Sequence, residues 1–100
     1  MTLKGVLNLK HSNDEYLIFS GGRITNISEY LNVMLLNDVY VEVTNSYDGK
    51  VLFSESGQLV KEKVSPKYYM YHVNGTDLDS VLWNNVGNRL EIEIKNITKN

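Results

Sequence analysis

The sequence predicts an α+β domain in which a mostly antiparallel sheet carries two short helices. Three observations lead to this prediction: strands that alternate apolar and polar residues, two stretches with helical apolar spacing, and a similarity between the two halves of the chain. The expected architecture is two pseudo-symmetric ββαβ repeats with an extra hairpin strand between them. The predicted boundaries within this single compact domain are 1–46 for the first repeat, 47–57 for the hairpin strand and a linker, and 58–100 for the second repeat.

The strand that closes each repeat has the clearest pattern. An aliphatic residue stands at every second position, namely Val39, Val41 and Val43 in the first repeat and Leu90, Ile92 and Ile94 in the second. Because side chains alternate between the two faces of a strand, this period of two predicts a strand with one buried face. The two closing strands align at an offset of 51 residues.

Each repeat opens with a predicted hairpin, over residues 3–20 in the first and 58–73 in the second. Asn, Asp, Ser and Pro concentrate where these hairpins turn, and each of these residues favours a turn conformation. The second strands of the two hairpins align at an offset of 52, which places Tyr16 beside Tyr68. The segment between the repeats is unique, and its Tyr47-Asp48-Gly49 sequence predicts a further hairpin turn.

A short helix follows each hairpin. The apolar residues with helical spacing are Ile27, Tyr30, Leu31, Met34 and Leu35 in the first repeat and Leu78, Val81, Leu82 and Val86 in the second. Asn26 is the expected N-cap of the first helix, and Thr76 or Asp77 that of the second. Helices of about ten residues are unstable alone, so both are expected to pack on the sheet.

Composition limits the function classes. Lys and Arg number 10 against 12 Asp and Glu, and the net charge of −2 argues against a nucleic-acid partner. No apolar run approaches the roughly 20 residues of a membrane helix, and the N-terminus lacks a signal-peptide pattern. The expectation is a cytoplasmic protein with no membrane partner.

Catalytic chemistry has little support in the sequence. The chain contains no cysteine, and its two histidines, His11 and His72, stand 61 positions apart with no metal-ligand spacing. The prediction is therefore a protein that is not an enzyme and has no cofactor and no metal. If activity were found, His72 would be the first residue to test.

Two glycine-containing loops are candidate anion or ligand sites, because glycines before a helix N-terminus can bind an anion. The competing interpretation is a turn that requires positive φ, and the sequence favours it because no nucleotide-binding fingerprint is present. The candidate loop residues are Gly21, Gly22, Arg23, Asn74, Gly75 and Thr76.

Aromatic residues are the predicted partner-binding set, because Tyr and Trp join a large apolar body to a polar group. The candidates are Tyr68, Tyr69, Tyr71, Trp83, Tyr40 and Tyr47. Strand alternation places Tyr69 and Tyr71 on one face and Tyr68 on the other. The alternative is cross-strand aromatic pairing that only stabilises the sheet. Stacking of single-stranded bases would need a cationic groove, which this charge balance does not supply.

The chain is small, lacks alanine and cysteine, and contains 12 asparagines and 7 tyrosines, a composition typical of low-GC genomes. Together with the paired segments 26–45 and 77–96, it resembles the accessory proteins of phages and mobile elements in low-GC bacteria, of which anti-CRISPR proteins are the familiar type. The resemblance implies a non-enzymatic inhibitor that blocks a bacterial host defence protein through an aromatic sheet face. The paired segments are a general module, so no functional residue is carried over.

Two alternatives remain open beside the inhibitor. One is a protein that sequesters a small ligand or nucleotide in the paired glycine loops. The other is a self-assembling structural phage component, in which homo-oligomers would form by pairing of edge strands.

Overall fold

The structure, a computed structural model, describes residues 1–10, 14–66 and 68–99. The first half of the chain forms β1 (Thr2–Lys10), β2 (Glu15–Ser20), β3 (Arg23–Asn26), α1 (Ile27–Val33) and β4 (Asp38–Asn45). The second half forms β5 (Val51–Ser65), β6 (Tyr68–Val73), β7 (Thr76–Asp77), α2 (Asp79–Asn84) and β8 (Arg89–Asn96).

The strands form one eight-stranded sheet in the order β3-β2-β1-β8-β4-β5-β6-β7. Every neighbouring pair is antiparallel. The two predicted closing strands, β4 and β8, lie side by side at the centre, with Val43 opposite Ile92. The prediction of an α+β chain with a mostly antiparallel sheet and two helices is confirmed.

The core lies between the inner face of the sheet and the helices. The alternating aliphatic residues of β4 and β8 are at most 2% exposed, as their period of two predicts. Leu31 of α1 and Leu82 of α2 are equally buried, so each helix is anchored by its apolar side. The outer face of the two central strands is polar, and there the Lys95 ammonium lies 2.9 Å from a carboxylate oxygen of Glu93.

Asn26 is the N-cap of α1, as predicted, whereas the N-cap position of α2 is Leu78, which makes no side-chain capping bond, and the predicted Asp77 lies one residue earlier. The Asn26 side chain accepts a hydrogen bond from the Glu29 amide at 3.0 Å. The Asp77 carboxylate accepts from the Ser80 amide at 2.9 Å and from the Ser80 hydroxyl at 2.6 Å. These bonds satisfy backbone donors that a helix start leaves without a partner.

The linker, predicted at residues 54–57 within the segment 47–57, is wrong. Residues 54–57 belong to the 15-residue strand β5, which also contains the predicted extra strand and the first strand of the second hairpin. Its first half pairs with β4, where Ser54 lies opposite Glu42 and Gly57 opposite Val39, and its second half pairs with β6. Backbone hydrogen bonds to β4 hold residues 54–57 extended, although their side chains give no strand signal.

The ββαβ order also needs correction, because a third short strand precedes each helix. β3 separates the first glycine loop from α1, and β7 separates the second loop from α2. These strands contain only 4 and 2 residues, too few to show a period in the sequence.

The pairing of the hairpins differs from the alignment at an offset of 52. Leu9 lies opposite Tyr16, whereas Lys61, 52 residues after Leu9, lies opposite Tyr71. Tyr71 and not Tyr68 is therefore the counterpart of Tyr16 in strand pairing. The difference arises because the second hairpin is longer and its register shifts between Lys63 and Ser65.

The segment after each helix is hydrogen-bonded to a strand from the other half of the chain. This arrangement ties the end of each helix to the opposite half of the chain. The bonds are Leu7 N to Asn88 O (3.0 Å), Gly87 N to Leu7 O (2.7 Å), Leu59 N to Asn37 O (3.0 Å) and Leu36 N to Leu59 O (2.7 Å).

Candidate functional site

A polar cavity interrupts the apolar core where β2, α1, β5, β6 and the start of α2 meet. Its volume is about 130 Å³, and its lining residues are Leu9, Asp14, Glu15, Tyr16, Ser28, Asn32, Lys61, Tyr69, Tyr71 and Asp79. The floor consists of buried residues, namely Tyr16, Ser28, Tyr71 and Asp79, whereas the rim residues Asp14, Asn32, Lys61 and Tyr69 are exposed. The cavity therefore opens to solvent past these rim residues.

Asp79 is the buried charge-bearing group at the floor, with 6% of its surface exposed. Its Oδ1 atom accepts a hydrogen bond from the Tyr16 hydroxyl at 2.6 Å, and its Oδ2 atom accepts from the Tyr71 amide at 3.1 Å. Hydrogen bonds to both oxygens compensate a carboxylate for the water it loses on burial. Its place in the first turn of α2 adds the favourable field of a helix start.

The two floor tyrosines connect both helices. The Tyr16 amide donates to the Ser28 hydroxyl of α1 at 2.9 Å, while the Tyr16 hydroxyl reaches Asp79 of α2. The Tyr71 amide donates to Asp79, and the Tyr71 hydroxyl donates to Asn32 of α1 at 2.7 Å. The cavity floor is therefore a hydrogen-bonded network in which each tyrosine joins α1 to α2.

Lys61 brings a positive charge to the rim. Its ammonium lies 5.1 Å from the ring centre of Tyr71 and 5.9 Å from that of Tyr69. It also donates to the Asn32 side chain at 3.5 Å. Both ring distances are within the range of a cation–π contact, so the ring faces of Tyr69 at the rim and Tyr71 at the floor attract an ammonium group.

Burial raises the pKa of Tyr71 to about 12, and the negative charges of Asp79 and Glu15 act in the same direction. In the unfolded chain Tyr71 ionises near pH 10. The stabilising contribution of the neutral phenol is therefore complete below pH 10, and it is lost as the pH rises to about 12. At about 1.4 kcal/mol per pKa unit, the loss amounts to at most about 3 kcal/mol.

This loss can be measured by urea unfolding at pH values between 9 and 12. We expect the free energy of unfolding of Tyr71→Phe to fall less steeply across this range than that of the wild type. Tyr47→Phe is the matched control, because Tyr47 is 82% exposed and should follow the wild type. Equal slopes for Tyr71→Phe and the wild type would contradict the assignment.

A second concave surface, the β3–α1 groove, lies between edge strand β3 and helix α1. It is open, has a volume of about 870 Å³, and is lined by Met1, Arg23, Ile24, Thr25, Asn26, Glu29, Tyr30, Val33, Met34 and Ile94. Val33 is 83% exposed and Ile24 is 61% exposed. Val33 falls outside the apolar pattern of α1, and an apolar residue at a position expected to face solvent is the sequence signal that could have revealed the groove.

The aromatic candidates do not share one sheet face. Tyr71 is only 4% exposed and belongs to the core, so its prediction as a partner-binding residue is wrong. Its neighbour Tyr69 is half-exposed at the cavity rim. Tyr40 lies on the outer face of the sheet, where its hydroxyl donates to Glu42 and this hydrogen bond raises the pKa of Tyr40.

The remaining aromatic candidates lie elsewhere. Trp83 is 52% exposed on α2, and Tyr47 is exposed in the turn between β4 and β5. The side chain of Tyr68 lies outside the described part of the structure. An aromatic sheet face is therefore not assembled by the described candidates.

The glycine loops are tight hairpin turns. Ser20 pairs with Arg23 around Gly21 and Gly22, and Val73 pairs with Thr76 around Asn74 and Gly75. All four central residues have φ between 52° and 84°, as a type I′ turn requires. A strand separates each turn from its helix, and the turns lie at opposite edges of the sheet. The geometry on which the anion-site prediction depended is therefore missing.

Histidine and metal chemistry find little support in the described residues. His11 lies outside them, and His72 lies on the face of β6 opposite to Tyr71, with its Nδ1 atom 3.8 Å from a carboxylate oxygen of Glu62. Residues 1–10, 14–66 and 68–99 contain no group of three His, Cys, Asp or Glu side chains placed to hold a metal ion. The cavity carboxylates are thus not arranged as a metal site.

Comparisons with known proteins find no matching family model, no matching curated protein and no matching solved structure. In the described part of the chain, no helix has both the length and the apolar character needed to cross a membrane.

Proposed function

We propose that this chain is a non-enzymatic binding protein whose partner is another protein, docked in the β3–α1 groove. The observation that carries the proposal is the exposure of large apolar side chains beside a strand edge. Val33 and Tyr30 of α1 line the groove with 83% and 42% of their surfaces exposed, and Ile24 of β3 also lines it and is 61% exposed. Exposed apolar surface beside a concave site is typical of interaction sites.

The edge of β3 suits an extended segment of the partner. β3 is the first strand in the sheet order, and β2 is its one neighbour among the described strands. The backbone groups on its other side can pair with an added strand, while alternate apolar side chains of that strand enter the groove. Arg23 and Glu29 supply one charge of each sign at the groove, as in a polar rim around an apolar centre.

We also propose that the chain arose by internal duplication. The order β-β-β-α-β occurs in each half, and the sheet order is the same from either edge towards the central pair. The hydrogen bonds of Leu7 to the segment after α2 match those of Leu59 to the segment after α1. These regularities support a pseudo-twofold axis between β4 and β8.

Divergence between the two halves favours a functional reason for the groove. At the offset of 51 that aligns the helices, Asn84 of α2 stands where α1 has Val33. The counterpart of β3 is the two-residue strand β7. Because the second half folds with a polar residue at this position, the fold does not require a valine at position 33. Binding of a partner explains why Val33 is apolar and exposed.

The resemblance to phage and mobile-element accessory proteins supports a bacterial host protein as the partner. In that form of the proposal, a host defence protein is blocked when one of its extended segments pairs with β3. The aromatic sheet face expected from the sequence is replaced by the groove, because the groove is where apolar residues actually lie together.

The test is partner capture with charged groove variants. Val33→Asp and Ile24→Asp should remove a partner that the wild type captures from a low-GC bacterial lysate, with little change in unfolding temperature because both side chains are exposed. Val64→Asp is the matched control, since Val64 is an exposed valine on β5 outside the groove.

A partner retained by both groove variants would contradict the proposal. A second copy of the chain is the other occupant to test for the groove, and sedimentation of the purified protein measures whether the chain forms a dimer. A wild-type dimer that Val33→Asp dissociates would mean that the groove serves self-association instead of a different partner.

A further inference from the structure

We infer that the polar cavity binds a small organic cation, a guanidinium or a short alkylammonium, with Asp79 as its buried counter-charge. This inference is independent of the groove, which lies beside different residues of α1. It rests on the charge, the aromatic rim and the size of the cavity.

The formal charges around the cavity favour a cation. Among the described lining residues, the carboxylates of Asp14, Glu15 and Asp79 outnumber the ammonium of Lys61, and that of Glu15 already accepts a hydrogen bond from the Asn26 side chain at 3.0 Å. A carboxylate has about four acceptor positions, and the Tyr16 hydroxyl and Tyr71 amide take one on each oxygen of Asp79. Acceptor capacity is therefore left for a ligand that donates hydrogen bonds from nitrogen.

The rim already holds a cation of this kind. The Lys61 ammonium lies within cation–π distance of the Tyr69 and Tyr71 rings. Lys61 is exposed, so its ammonium can move into water at little cost when a ligand cation enters. Lys61 is thus a competitor of the ligand, both for the ring faces and through repulsion between like charges.

The size of the cavity limits the ligand. A volume of about 130 Å³ corresponds to roughly four water molecules at about 30 Å³ each. A guanidinium or a short alkylammonium fits this space, whereas a nucleotide does not. A bare metal ion is disfavoured, because the described carboxylates do not form a group that could ligate one.

The experiment is a titration of the full chain followed by backbone amide NMR shifts, with methylguanidinium as the probe. Methylurea, a neutral molecule of nearly the same shape, is the matched control ligand. We expect saturable shifts at the amides of Tyr71 and Asp79 with methylguanidinium and none with methylurea. Saturable shifts with n-butylammonium as well would show that the site binds organic cations in general. If only methylguanidinium gives saturable shifts, the ligand is restricted to a guanidinium.

Variants of the rim give the sharper test. Lys61→Met should tighten methylguanidinium binding about tenfold, because it removes a like charge within a few ångströms of the ligand. Lys63→Met is the matched control, since Lys63 is an exposed lysine of the same strand that does not line the cavity, and it should leave the affinity unchanged.

Removing a carboxylate should have the opposite effect. Asp79→Asn should weaken binding about tenfold or more, and Asp14→Asn, at an exposed position, should weaken it several-fold even if the buried variant fails to fold. Equal shifts with methylurea, or equal affinities in Lys61→Met and Lys63→Met, would overturn the inference. Such a failure would leave the groove proposal untouched, because Val33 and Ile24 are not part of the cavity.

Discussion

Gly5→Ala is expected to destabilise the protein by roughly 3 kcal/mol or more, the sum of overpacking and an unfavourable φ. A Cβ atom at Gly5 would overlap the carbonyl oxygen of Phe19 and lie 2.8 Å from its carbonyl carbon. These atoms belong to the backbone of β2, so no side-chain rotation can relieve the contact. Relief would require β2 to move away from β1 and lose part of the hydrogen-bonded ladder.

Two other glycines separate the causes of this effect. Gly21→Ala introduces a side chain into open space at φ of +55°, so it measures the cost of the backbone conformation alone. Gly57→Ala meets the Asn74 side chain at 2.7 Å, and the double variant with Asn74→Gly should recover the steric part of its loss but not the cost of its φ of +148°. The measurement is urea unfolding, and a Gly5→Ala loss within about 0.5 kcal/mol of the Gly21→Ala loss would refute the steric explanation.

Leu31→Ala and Leu82→Ala are each expected to cost roughly 2–5 kcal/mol, the range for truncating a fully buried leucine. Leu31 is 0% and Leu82 is 1% exposed, and each is the central apolar contact of its helix. The helices contain only 7 and 6 residues, so they depend on these contacts and not on their own helical propensity. Each substitution should therefore weaken the packing of a whole helix on the sheet.

Val33→Ala is the matched control for the leucine variants, because it removes methyl groups from the exposed side of α1. Its free energy of unfolding should stay within about 0.5 kcal/mol of the wild type. A leucine variant as stable as this control would show that its helix does not contribute to the core.

Local patterns were enough to predict much of the fold. The period of two in residues 39–43 and 90–94 depends only on the geometry of a strand with one buried face, and both strands lie as predicted. Asn26 caps α1 because its side chain reaches an amide three residues away, an interaction contained within one turn of chain. Such features are readable because all the atoms involved are close together in sequence.

The candidate sites were only partly visible in the same patterns. Tyr69 and Tyr71 share a strand face, as alternation requires, but one is at a rim and the other is buried. The difference depends on Asn32 and Asp79, which the fold brings against Tyr71 from two helices. Aspartate is usually exposed and valine is usually buried, but Asp79 is buried and Val33 is exposed. Only the surroundings of these two residues in the fold explain the exceptions.

The long-range arrangement required the tertiary structure. Residues 54–57 have the composition of a linker but form a strand, because β4 pairs with them. Tyr71 replaces Tyr68 as the counterpart of Tyr16 in strand pairing, because the second hairpin is longer. In both cases the deciding interactions are backbone hydrogen bonds between distant segments, which are almost independent of side-chain identity. Side-chain periodicity therefore predicts which elements form, whereas register and the cavity between the helices follow from how those elements pair in space.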